Sequence, residues 1–147
     1  MPSEYPVPKT RATLTVGDSG KFTKVITEAD VFKFADASGD HNPLHIDEEY
    51  ARRSVFGRRV AHGILVSGII STVLGSELPG LGTIFVELHI QFLKPVFIGD
   101  TVTATAYVME IINPKRVRLL VACVNDRGED VAIGNAVVVP PAETRLV

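Results

Sequence analysis

Period-two patterning in the second half of the chain constrains the fold more than any other feature. From Thr83 to Leu93, the residues Ile84, Val86, Leu88, Ile90 and Phe92 alternate with Thr83, Glu87, His89 and Gln91. Successive side chains of a strand point to opposite faces, so the run predicts a long, half-buried strand. Thr101–Ile111 alternates less cleanly, with Val102, Ala104, Ala106 and Val108 on one face. Val117–Val124 and Val131–Val139 complete a set of four. Asn113-Pro114-Lys115 and Asp126-Arg127-Gly128 mark turns, and Pro140-Pro141 stops the last strand. Short connections favour antiparallel pairing, and a sheet with one apolar face needs a cover.

The best cover is the segment Gly63–Glu77. On a helical wheel of about 100° per residue, Leu65, Val66, Ile69, Ile70, Val73 and Leu74 fill one half. Gly63, Ser67, Gly68, Ser71, Thr72 and Gly75 fill most of the other. The bulky half suits the inside of a curved sheet. The small half lets a backbone, a second subunit or a ligand come close. Upstream, two extended stretches are expected at Ala12–Val16 and Lys21–Ile26, split by the turn signal Gly17-Asp18-Ser19-Gly20. Thr27 then caps a helix, with Asp30 three residues on and Gly39 as its stop. Residues 39–62 hold no long element, only a short helix begun by Asp47, and so long a connection is often functional. The predicted class is α+β, a curved antiparallel sheet wrapped around a long central helix. Residues 1–147 are read as a single domain, with an irregular Pro-rich arm over 1–10.

Composition removes several classes of function. The 147 residues carry 15 Lys+Arg and 17 Asp+Glu, a net charge of −2, which argues against a dedicated nucleic-acid binder. The N-terminus lacks the apolar stretch of a secretory signal, and Gly63–Leu74 is too short and too broken to span a bilayer. A cytoplasmic protein with no membrane partner is expected. The single cysteine, Cys123, forbids an internal disulfide and a cysteine-based zinc cluster. Its apolar surroundings, LLVACV, predict a buried thiol.

Chemistry concentrates in Gly39-Asp40-His41-Asn42-Pro43-Leu44-His45-Ile46-Asp47. Asp40 follows a helix end, and Pro43 stiffens the backbone between it and His45. A carboxylate beside an imidazole can hold one water, remove its proton and return a proton elsewhere. The spacing alone is shared with ordinary surface loops. The second piece is Ala61-His62-Gly63 at the start of the apolar helix. Unpaired N–H groups and the positive helix end can stabilise an oxygen that gains negative charge. Asp40, His45, Asp47, Glu48 and Glu49 are also possible metal ligands. No second histidine stands four residues away on a helix, and no cysteine is near, so no metal is expected.

Together the pieces carry a family resemblance. The run FADASGDHNPLHIDEEYARRSVFGRRVAHGILVSG resembles the hydratase-2 motif of the MaoC-like, or R-specific enoyl-CoA hydratase, family. ELHIQFLKPVFIGDTVTATAYV resembles the same family's strand, Phe-x-Lys-Pro-Val turn and Gly-Asp turn. The resemblance covers roughly residues 22–139. It implies a hot dog fold, a homodimer that joins two sheets, and no cofactor. It implies Asp40 and His45 as the catalytic pair, with Asn42 fixing the loop between them. It implies Gly63 as the N–H donor to a thioester oxygen and Ser71 as a small polar residue near the pair. His41 is then an exposed loop residue, His89 is exposed or interfacial on the polar face of its strand, and His62 is structural, bonded to the loop.

The implied activity is hydration of trans-2-enoyl-CoA to an (R)-3-hydroxyacyl-CoA. The alternatives are a (3R)-hydroxyacyl dehydratase acting on acyl carrier protein and a non-catalytic acyl-CoA-binding module. A thioesterase is disfavoured by the Asp-x4-His pattern. Arg52, Arg53, Arg58 and Arg59 could meet the phosphates of coenzyme A or an acidic carrier protein, or form a solvated face. Phe56, Leu65, Leu78 and Phe85 are candidates to close an acyl tunnel.

Overall fold

The computed structural model describes residues 4–142. The elements are β1 (Ser19–Val25), α1 (Glu28–Ser38), α2 (Pro43–Ile46), α3 (Glu48–Arg52), α4 (Gly63–Thr72), β2 (Ile84–Phe92), β3 (Thr101–Ile111), β4 (Val117–Asn125) and β5 (Asp130–Val139). The five strands form one sheet in the order β1-β3-β4-β5-β2, and each neighbouring pair is antiparallel.

The core forms where the alternating faces meet the bulky half of α4. Val102, Ala104, Ala106 and Val108 of β3 are all buried, as are Val117, Leu119, Val121 and Cys123 of β4. Val66, Ile69 and Ile70 of α4 pack into the same cluster with Val73 and Leu74. Burying one such aliphatic side chain is worth about 1.5–3 kcal/mol. Small alanines at 104 and 106 leave room for the helix against the middle of the sheet, so α4 lies over β1, β3 and β4.

Local rules account for the approach to the site. Thr27 and Asp30 form a reciprocal capping box at the start of α1. Gly39 ends that helix in the left-handed region, at φ 81°, where glycine carries no Cβ penalty. Asn42 caps α2 with Pro43 in its first turn, and Asp47 caps α3 through the Tyr50 N–H.

Four expectations change. Ala12–Val16 is not a strand. The Thr10 carbonyl accepts from the Thr13 and Leu14 N–H groups, and Thr13 Oγ1 accepts from the Thr10 N–H. These local bonds turn the backbone inward and bury Leu14. The helix over 63–77 is not uniform: after Thr72 it widens into a π-helical turn, Val73–Glu77, in which the Leu78 N–H reaches back to the Val73 carbonyl. β2 is not beside β3. Residues 93–100 carry the chain across the fold, and β2 pairs with β5. β2 is also more exposed than its pattern predicts, with Ile84 at 61% and Phe92 at 48%. As an edge strand it has a neighbour on one side only. β5 approaches it so closely that a Cβ on Gly134 would lie 1.8 Å from the His89 carbonyl oxygen.

Cys123 is fully buried, and loss of hydration pushes its thiol up to about 12. A thiolate is the reactive form. The native protein should therefore leave a thiol-reactive chromophore unreacted at neutral pH, and one thiol should react after unfolding. Rapid labelling of folded protein would contradict this packing.

Candidate active site

Two segments meet at the amino-terminal end of α4. The first is the Asp40–His45 loop. The Asp40 N–H donates to Ser38 Oγ at 3.1 Å, and Asp40 Oδ1 accepts from the Asn42 N–H at 3.2 Å. Asn42 Oδ1 accepts from the Leu44 N–H at 3.1 Å, and the His45 N–H returns to the Asn42 carbonyl at 2.9 Å. Asn42 thus ties both ends of the loop.

The second segment is residues 60–63. The Val60 N–H donates to the Leu44 carbonyl at 3.2 Å, and the Ala61 N–H to the Val96 carbonyl at 2.7 Å. These bonds anchor the segment to α2 on one side and to the β2–β3 connection on the other. His45 Nδ1 donates to the Val60 carbonyl at 2.6 Å. That bond leaves Nε2 as the nitrogen free to exchange a proton.

Asp40, His45 and His62 each bring one ligand-type atom within 4.8 Å of the others. Asp40 is exposed, and His45 is half-buried. His62 is only 2% exposed and stacks on His45, with ring centroids 3.8 Å apart and 29° between planes. Its Nε2 donates to the Asp40 carbonyl at 3.0 Å. Burial pushes the His62 imidazole below its ordinary range, and the neighbouring His45 pushes the same way. An unfolded His62 would bind a proton that the folded one resists, so this residue favours the fold less as pH drops below about 6.5.

The three side chains are the one group among the described residues that could reach a common ion. Their geometry suits an ion poorly. Lone pairs of imidazole lie in the ring plane, so stacked rings aim them side by side rather than at one tetrahedral centre. The other acids once grouped with them are elsewhere: Asp47 caps α3, Glu48 binds Arg59, and Glu49 binds Arg52.

Gly63 opens α4, and no side chain caps that end. The ring of Phe92 occupies the space a side chain would need: a Cβ on Gly63 would lie 3.0–3.2 Å from it. Beside Gly63 lies a cavity of about 370 Å³, lined by Phe56, Val60, Val66, Phe92, Val96 and Val131 among others. Of the four tunnel candidates, Phe56 lines it and Leu65, Leu78 and Phe85 do not. Ser71 lies eight residues along the helix from Gly63, on an exposed face. At 1.5 Å per residue that is about 12 Å away, and no contact joins it to Asp40 or His45.

Neighbouring cations and histidines fall into place. Arg59 is held by Glu28 and Glu48, both at 2.8 Å, so it braces α1 against α3. Arg58 lies 3.7 Å over the Phe97 ring. Arg53 lines a surface hollow with Tyr50 and Phe56. His41 is exposed, and its pairing with Asp36 raises its pKa. His89 is exposed on β2. His62 is bonded to the loop as expected, through the Asp40 backbone carbonyl, and its ring also stacks on His45. The His-Gly pair at the start of an apolar helix was the available signal.

The MaoC like domain family matches residues 8–126. The chain belongs to that family. This MaoC-like chain is 44% identical over 126 residues to the (R)-specific enoyl-CoA hydratase of Rhodospirillum rubrum, covering 86% of this chain and 88% of that protein. It is 42% identical over 129 residues to the 3-hydroxybutyryl-CoA dehydratase of Methylorubrum extorquens, covering 87% and 82%. The solved structure of R-hydratase PhaJ1 from Pseudomonas aeruginosa, unliganded, superposes with a TM-score of 0.89 at 36% identity, covering 95% of this chain and 92% of that one. The wrapped helix and sheet are the MaoC-like hot dog fold.

Proposed function

We propose that this protein is an R-specific enoyl-CoA hydratase, a hydro-lyase that adds water to trans-2-enoyl-CoA. The observation that carries the reading is the convergence of Asp40 and His45 beside the amino-terminal end of α4. C3 of the enoyl thioester is electrophilic because its double bond is conjugated with the carbonyl. The Asp40 carboxylate accepts a proton from a water held with His45, and the water oxygen bonds to C3. Electrons pass to the thioester oxygen, which accepts from the Gly63 N–H. As the carbonyl re-forms, C2 takes the Nε2 proton of His45, which enters the reaction as the imidazolium with its Nδ1–H on the Val60 carbonyl. A proton then moves from Asp40 to His45, restoring both. The apolar cavity beside Gly63 suits the acyl chain.

The test is loss of the enoyl-thioester absorbance with crotonyl-CoA, followed by chiral analysis of the product. An (R)-3-hydroxyacyl product supports the reading, and no turnover, or release of free thiol, refutes it. Much faster turnover of a crotonyl-carrier protein would favour the dehydratase of fatty-acid synthesis. Arg53 and Arg58 are the cations of the basic group without a carboxylate partner among the described residues, so they are the candidates to meet carrier phosphates.

We further propose a homodimer formed by pairing β2 with β2 of a second copy. Ile84, Phe85, Val86 and Phe92 are exposed along that edge, and Ile64, Gly68 and Ser71 on α4 are exposed as well. An edge strand with unpaired backbone groups and exposed apolar side chains invites another strand. Sedimentation should give twice the 15.9 kDa chain mass, and Val86→Glu should shift it to the monomer. No helix among the described residues is long and apolar enough to cross a membrane.

A further inference from the structure

We infer that His62 is a positioning residue, whose imidazole holds the Asp40 carbonyl by its edge and the His45 ring by its face. The inference rests on the hydratase reading above. It goes beyond that reading by giving a role to a side chain that the proposed reaction does not use.

Three contacts define the role. Nε2 donates to the Asp40 carbonyl at 3.0 Å, which fixes the tautomer with the proton on Nε2. One face stacks on His45 at 3.8 Å, and Phe34 packs at 4.6 Å with the rings tilted by 57°. Nδ1 is buried with no hydrogen-bond partner. A buried nitrogen left unpaired works against folding, so a purely structural role would be served better by another residue. Glutamine offers the N–H without the ring. Phenylalanine offers the ring without the N–H. Histidine supplies both in the thickness of one ring, and that combination spans the acid and the imidazole. Burial also keeps the ring uncharged, so it adds no second cation against His45 when that residue carries its proton. The charged or titratable groups facing it are Asp40, His41 and His45.

Three variants of the full chain separate the parts. His62→Phe keeps the stack and loses the donor, His62→Gln keeps a donor and loses the stack, and His62→Ala loses both. With crotonyl-CoA, the phenylalanine variant should lose about tenfold to a hundredfold in kcat, the range for a misplaced reacting group, with KM nearly unchanged. Glutamine should recover much of that loss, and alanine should be worst. Wild-type kcat and an unchanged pH profile in His62→Phe, with only a lower Tm, would overturn the inference. Should the variants fail to fold, nitrogen NMR of the wild type decides. At neutral pH His62 should carry a single ring proton, on Nε2. A proton on Nδ1 would overturn the inference. An inactive wild type with the Nε2 tautomer would instead refute the hydratase reading.

Discussion

Asp40→Asn and His45→Ala should each fold and lose hydration of crotonyl-CoA by a factor on the order of 10² or more, the range for a positioned acid or base. Asp40 is exposed, and an asparagine there keeps an oxygen to accept the Asn42 N–H. Its cost therefore falls on proton transfer. His45→Ala leaves the Val60 carbonyl without its donor and His62 without its stacked neighbour. About 1–3 kcal/mol of stability should go with an unsatisfied carbonyl, so activity must be compared at a temperature where circular dichroism reports a folded chain. The double variant is the sharper test. Two groups gripping one water act as a unit, so it should be little worse than the poorer single variant. Losses that simply multiply would mean that the residues serve separate steps. Near-wild-type rates in either single variant would remove the assignment.

Period-two alternation located β3, β4 and β5 nearly to the residue, because each lies inside the sheet with one face on the core. It located β2 equally well and misjudged its environment. A strand's pattern records which face is apolar, and says nothing about whether it sits at an edge. The order β1-β3-β4-β5-β2 was hidden for a related reason: eight residues link β2 to β3, and that length permits either a neighbour or a crossing. The failed strand at Ala12–Val16 shows side chains competing with sheet pairing, since Thr10 and Thr13 satisfy each other locally.

The site was legible where one short loop holds it. Pro43 and the capping residue Asn42 announce the turn that separates Asp40 from His45. What joins the loop to α4 was not legible, because it depends on contacts distant in sequence. His45 reaches fifteen residues forward to Val60, and His62 reaches twenty-two residues back to Asp40. Asp47, Glu48 and Glu49 looked close to the site by number, yet each is committed to a helix start or an arginine.

Gly63→Pro should cut hydration by about 10²- to 10³-fold, the effect of removing one donor from an oxyanion site. Proline suits the first position of a helix, where the N–H has no intrahelical acceptor. It also needs an extended residue before it, and His62 has φ −59° and ψ 134°. The helix should therefore form while its first N–H is lost. Any residue here other than glycine meets the Phe92 ring, so Gly63→Ala is the necessary control: it adds a Cβ and keeps the donor. Phe92 is half-exposed and can give way, so alanine should cost less activity than proline. The ratio of kcat between the two variants isolates the N–H from crowding. If alanine is as damaging as proline, Gly63 serves as space for Phe92, and the thioester oxygen finds its donor elsewhere. If both variants keep wild-type rates, the end of α4 takes no part in the reaction.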